Sequence, residues 1–219
     1  MPAVQKIFTR ILPAAAISAG LLLATPAAEA AKTKKKLPVA TIALGDKRAK
    51  GKAHTSKAPK AQAAAAPCAN TDLTPTADNL ALVSAAVLCL HNQIRAQAGL
   101  PALKANVKLQ KAAQGHSIDM VNEGFFDHTN PAGDTFVDRI VAAGYVKRND
   151  GWTLGENLAW GTGDLSTPAG VMNAWMNSPG HKANILKKAY REVGIGIRLG
   201  VPSDSTVGAT ITTDFGVKL

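Results

Sequence analysis

The chain has no G-x-S-x-G elbow, no H-E-x-x-H helix, no phosphate-binding loop and no G-x-G-x-x-G opening a helix. Each absence removes a class of enzyme whose chemistry depends on that string. Aromatic residues make up only 5% of the sequence, so a lipid or sterol binding surface finds little support outside the expected core. No internal repeat is present. Cysteine is limited to Cys68 and Cys89, too few for a thiolate metal site. An even count in an exported chain favours one disulfide, which would contribute roughly 3 kcal/mol by closing its loop. Two free thiols are the other reading of the same pair.

Long apolar runs are also lacking, with one short exception at the start. Lys6 and Arg10 precede an apolar stretch from Ile11 to Ala24, and Ala28-Glu29-Ala30 has the small-x-small form of a cleavage site. This pattern predicts an export signal over 1–30, with a mature chain from Ala31; an uncleaved anchor is the alternative. The expected location is extracellular, periplasmic or at the cell envelope.

Charge is uneven. The formal +10 resides almost entirely in residues 31–66, where ten Lys and Arg face Asp46 alone; from Pro67 onward 13 basic residues balance 13 acidic ones. The basic segment has no aromatic residue and too little apolar side chain to offset the entropy of ordering it, so it is expected to be a disordered linker. Its polycationic character suits anionic envelope polymers or lipid head groups, or a tether with no partner; nothing in it reads a specific nucleic acid. The remaining stretch, 67–219, fits one domain, expected to be a monomer.

Within that domain, Leu80, Val83, Val87, Leu90 and Ile94 recur at helical spacing, with Thr76 or Asp78 as cap and Gly99-Leu100-Pro101 as stop. Asn106 opens a second helix that ends at Gly124. Asp134 opens a third that ends at Gly144. A fourth is expected from Pro168 to Asn177, with Pro179-Gly180 ending it or forcing a turn. The period then changes: Val193, Ile195 and Ile197 alternate with small or polar residues, as do Val207, Ala209, Ile211 and Thr213. Both read as strands joined by a loop over residues 200–205. Helices ahead of a mostly antiparallel sheet imply an α+β fold with layered packing.

Few histidines are available for chemistry. His54 lies in the linker, and His116 falls on an apolar helix face, where a satisfied core residue is the usual outcome. His91 lies off the main apolar stripe. His128, in FFDHTNP, and His181, in SPGHK, stand in turn contexts, where sites form on rigid supports.

The ordered strings FFDHT, GENLAWG (residues 155–161), Trp175, GHKANIL (residues 180–186) and Val193-Gly194-Ile195-Gly196 resemble the CAP superfamily of cysteine-rich secretory, antigen 5 and pathogenesis-related 1 proteins, in its short bacterial form. The resemblance spans approximately Leu80 to Phe215. It implies a three-layer α-β-α sandwich with a cleft holding two histidines and two acids. By motif, His128 and His181 are the histidines and Glu156 the first acid. Ser178 stands where the second acid is expected. His128, His181 and Glu156 would then bind a divalent metal such as Zn²⁺, with the missing charge weakening the site. Glu192 could compensate, although a strand-edge surface charge is the simpler reading. Leu158 and Trp160 are expected to enter the core. Three functions remain open: a secreted metal-capable cleft without established catalysis, a lipid or sterol binding module, and a peptidase-like hydrolase in which Ser178 is more simply a cap or turn residue.

Overall fold

A computed structural model describes residues 66–203 and 207–219. The expected export signal and nearly all of the basic linker lie outside the described residues. Within the described residues, five α-helices and four strands follow in the order α1 (Leu80–Gln97), β1 (Lys104–Ala105), α2 (Val107–Glu123), α3 (Phe136–Ala142), β2 (Trp152–Gly161), α4 (Pro168–Met176), α5 (Pro179–Ile185), β3 (Glu192–Leu199) and β4 (Ala209–Lys218), with one 3-10 turn (Gly163–Ser166) before α4.

The strands form one sheet in the order β1-β3-β4-β2. β4 pairs antiparallel with β2 and β3, and only the two-residue β1 runs parallel, against Glu192 and Val193. The sheet is therefore mixed but mostly antiparallel, as expected. Along β3 the alternation sorts the two faces. Val193, Ile195 and Ile197 enter a core with Val83, Val87, Val171, Trp175, Ile185, Tyr190, Ile211 and Phe215, supplied by α1, α4, α5, the α5–β3 connection and β4. Gly194 and Gly196 face α2, and a Cβ at either would collide with the α2 backbone at Leu109–Gln110 or Ala113–Gln114. The missing side chains let α2 lie directly on the strand. A smaller cluster of Leu109, Ala112, Ile140, Tyr145, Val146 and Leu154 completes the α2/α3 layer. Helices thus cover both faces, giving an α-β-α sandwich.

Helix termini follow local chemistry, with some departures from the sequence reading. Asn106 caps α2 by accepting the N–H groups of Lys108 and Leu109, and Gly124 closes it at φ 67°. For α1 neither Thr76 nor Asp78 is the cap. Asn79 holds that position and spends its side-chain oxygen on the Thr76 N–H instead. Thr135, not Asp134, caps α3, through a reciprocal box with Asp138; Asp134 is already engaged with Asn130 in the preceding turn. Pro179 does end α4, but it also begins α5, because proline suits the first turn of a new helix. His181 consequently sits on a helix and not in a turn.

β2 was not expected as a strand. Leu154, Gly155, Glu156, Asn157 and Leu158 are all buried, so the stretch shows no apolar-polar alternation. Although β2 lies at the sheet edge, its outward carbonyls are covered. Tyr190 Oη donates to Leu154 O (2.8 Å), Asn184 Nδ2 to Glu156 O (3.0 Å) and Trp175 Nε1 to Leu158 O (2.9 Å), which leaves the edge little room to pair with another chain.

Two cross-links fix α1. Cys68 and Cys89 form a disulfide with a Cα–Cα distance of 5.7 Å, pinning the incoming segment to the helix as expected. At the other end the buried Arg95 donates to the carbonyls of Pro101, Ile185, Lys187 and Tyr190, tying α1 to the α5–β3 connection.

Candidate functional site: a two-histidine cleft

The turn between α2 and α3 carries His128. Asp127 accepts the Thr129 N–H at 2.9 Å and Arg139 Nη2 donates to the His128 carbonyl at 3.1 Å, so the turn is held from both sides. The imidazole is half exposed, whereas the Glu156 side chain beneath it is fully buried. His128 Nδ1 lies 2.7 Å from Glu156 Oε1, and Arg139 Nη2 lies 2.7 Å from Oε2. An ionised carboxylate only accepts, so the shared proton belongs to His128 Nδ1 and its Nε2 is left for other partners. The Glu156 hydrogen bond raises the His128 pKa, outweighing partial burial.

His181 stands in the first turn of α5. Its carbonyl accepts from Asn157 Nδ2 at 3.1 Å, and Asn157 Oδ1 accepts from Asn184 Nδ2 at 2.9 Å. The neighbours of Glu156 in the GENL string therefore anchor α5 to β2. Burial, reinforced by the charge of nearby His128, lowers the His181 pKa. The two imidazoles are thus biased in opposite directions, and His128 is near enough for its charge to act on His181.

Other expectations fare differently. Ser178 is the N-cap position of α5 but makes no side-chain bond to the helix, and its N–H closes the turn on Trp175 O. Glu192 lies two strands away from Glu156, held by Asn106 Nδ2 (2.8 Å) and Tyr145 Oη (2.7 Å), and takes no part in the cleft. Leu158 is buried, but Trp160, on the same face by register, is 48% exposed. His91 is not off the core at all. It is fully buried between Trp175 and Phe215, with Nδ1 2.8 Å from Val87 O, and burial presses its pKa down to about 4. His116 is a buried core residue with Nε2 2.8 Å from Asp127 O.

Two residues of the site went unread in the sequence. Arg139 follows from no motif. Asp214 is fully buried and pairs across the ladder with Glu156; only the strand register reveals that the two carboxyls are neighbours. Among the described residues no cluster of three His, Cys, Asp or Glu is arranged to hold a metal ion. Both oxygens of Glu156 are engaged, one by a guanidinium, so the donors left open in the cleft are imidazole nitrogens.

With this geometry in view, the sequence relationships are consistent. Residues 88–207 match the model of CAP, the cysteine-rich secretory protein family, and the chain belongs to that family. It is similar to the uncharacterized protein YkwD of Bacillus subtilis (strain 168), with 33% identity over 147 residues, 67% of this chain and 54% of that protein. The chain thus spans about half the length of that relative. Among solved structures it resembles an extracellular protein containing a SCP domain from Bacillus anthracis str. Ames, at 26% identity and TM-score 0.50, covering 64% of this chain and 43% of the other. An outer surface protein from Borrelia burgdorferi shares the fold at 21% identity and TM-score 0.53, covering 66% of this chain and 96% of the other. Extracellular and surface proteins are therefore among its structural neighbours.

Proposed function

We propose that this chain is a secreted or envelope-associated CAP-domain protein whose cleft binds a divalent cation, Zn²⁺ by preference, through His128 and His181. The observation that carries the reading is the 2.7 Å contact of His128 Nδ1 with the buried Glu156 carboxylate. It fixes the tautomer that presents Nε2 as a ligand, the usual role of a carboxylate behind a metal-binding histidine. Glu156 is accordingly a group that orients a ligand and not a third ligand. Neutral imidazole is a borderline-soft donor suited to zinc, and two of them leave coordination positions open. A bound cation would supply Lewis acidity to a ligand entering the cleft. No catalytic step is assigned to it, and Ser178, with no base beside it, supports no peptidase. The basic linker serves attachment to anionic envelope polymers or lipid head groups.

Titration calorimetry of Zn²⁺ into the protein tests the site. Saturable binding near the micromolar range, abolished in the His128→Ala, His181→Ala double variant, is expected; binding that survives in the double variant refutes the assignment.

A second reading draws on a different observation. A cavity of about 480 Å³ lies between α1, α2 and β3, lined by Leu80, Leu88, Val193, Ile195 and Ile197 among others. Its size and apolar lining suit a lipid or sterol chain. Mass spectrometry of an organic extract of the purified protein would recover a stoichiometric lipid if the cavity carries one, and none if it does not.

A further inference from the structure

The family pattern puts a second acid in the cleft at the position of Ser178, yet this protein supplies a carboxyl from another strand. Asp214 on β4 stands opposite Glu156 on β2. The carbonyls of Leu154, Glu156 and Leu158 point out of the sheet to side-chain donors. Glu156 and Asp214 are therefore a non-hydrogen-bonded pair of the ladder, the kind that brings side chains closest. Both residues are buried, Asp214 completely.

Their surroundings are unequal. Glu156 has His128 on one oxygen and Arg139 on the other, while neither oxygen of Asp214 has a donor. A buried carboxylate with no donor is costly, and two adjacent carboxylates cost more. One proton removes both costs: Asp214 as a neutral acid donates its O–H to Glu156, the hydrogen-bonding group beside it. Burial first, and the Glu156 charge second, raise the Asp214 pKa well above its ordinary value, against the smaller opposing pull of Arg139. The charged and titratable groups facing the pair are Arg139 from α3, His116 from α2 and His128 from the preceding turn. His116 is itself biased toward neutrality by burial, Arg139 spends Nη1 and Nη2 on Asp134 O, His128 O and Glu156, and although His116 Nδ1 and Arg139 Nε have no partner, no bond runs from either to Asp214. Neither supplies the missing donor to Asp214.

We propose that Asp214 is the second carboxyl group of this cleft, a positioning residue that hydrogen-bonds as an acid to Glu156 and holds it in place beneath His128. The cleft is then a relay of three groups on three elements: Asp214 on β4 fixes Glu156 on β2, which fixes the His128 ring in the α2–α3 turn. Ser178 need not be a carboxylate for the cleft to contain two. The inference deepens the cleft reading above, but it concerns the support of His128 and not the metal.

The test uses the full chain and two variants. Infrared difference spectra at neutral pH should show the carbonyl band of a protonated carboxylic acid in the wild type that disappears in Asp214→Asn. Imidazole ¹⁵N spectra should show His128 protonated at Nδ1 in the wild type and in Asp214→Asn, whose amide still donates. In Asp214→Leu the tautomer preference should be lost and Zn²⁺ affinity should fall by about 10-fold or more, the effect expected of an outer-shell group. Absence of the acid band overturns the proposal, as does a folded Asp214→Leu protein that keeps the His128 tautomer or a folded Asp214→Asn protein that loses it. Should Asp214→Leu fail to fold, the band and the Asp214→Asn tautomer still decide the matter. A wild type that binds no Zn²⁺ but shows both signatures defeats the zinc reading and upholds the role of Asp214.

Discussion

The two faces of the central sheet are built by the same strands and do opposite work. On the α1/α4/α5 face the ladder presents Val193, Ile195, Ile197, Ile211 and Phe215 to a hydrophobic core, and the histidine there, His91, is pressed neutral between aromatic rings. On the α2/α3 face the same two-residue alternation presents Thr212, bonded to Ser117, and the Glu156–Asp214 pair beneath Arg139 and His128. Burial is just as complete on both faces, but only the second contains a pair of buried carboxyl groups. One face supplies stability and the other holds charge in readiness, and each can be broken with limited effect on the other.

The largest expected effect is on the hydrophobic face. Trp175 is buried and donates to Leu158 O, so Trp175→Ala should cost about 3–5 kcal/mol of unfolding free energy in denaturant titration, by cavity formation and loss of a buried bond. Removing the disulfide with Cys68→Ser and Cys89→Ser should cost about 3 kcal/mol on the same measure, given the 21-residue separation.

A similar loss should appear on acidification, from His91. Its folded pKa of about 4 lies below the ordinary 6.5, so the unfolded chain binds the proton first as pH falls. The stability of the neutral buried ring is complete above pH 6.5 and diminishes from there toward pH 4, by on the order of 3 kcal/mol. Across that interval the stability of the wild type should fall relative to that of His91→Leu by about that amount as pH drops. Parallel curves would assign acid lability elsewhere, with the α2/α3 face first in line. Asp214 has the opposite sign. Its raised folded pKa means that the folded state holds the proton more tightly, so its contribution favours low pH and is lost as pH rises through the folded value. Asp214→Asn should flatten that decline.

The smallest effect in free energy falls on the polar face. Glu156→Gln keeps the shape but removes the charge that orients His128, and Zn²⁺ affinity should drop about 10–100-fold in calorimetric titration.

How far the sequence reveals this division depends on the element. The helix caps at Asn106 and Gly124 and the β3 alternation rest on local chemistry, and the structure has them where the residues imply, while β4 begins at Ala209 and leaves Val207 outside. β2 does not, because Leu154 to Leu158 are buried on both faces and the usual period vanishes. α5 is hidden by Pro179, which reads as a stop when it is also a start. In the cleft, His128, Glu156 and His181 are visible through ordered motifs. Arg139 and Asp214 are visible only through tertiary structure: one lies a helical turn inside α3, and the other needs the β2–β4 register to meet Glu156. Trp160 and His91 exchanged expectations for the same reason, since solvent exposure depends on which layer covers a position.

The central claim is that the edge strand β2 holds two imidazoles in place for a cation, His128 through Glu156 on one face and His181 through Asn157 on the other, with Glu156 bound to only one nitrogen of His128. The most direct measurement is the ¹⁵N spectrum of the His128 and His181 side chains during Zn²⁺ addition. The account predicts that His128 Nε2 and one nitrogen of His181 shift together to a common end point while His128 Nδ1 keeps its proton and its bond to Glu156. Loss of the Nδ1 proton, or His181 resonances that never move, would contradict it.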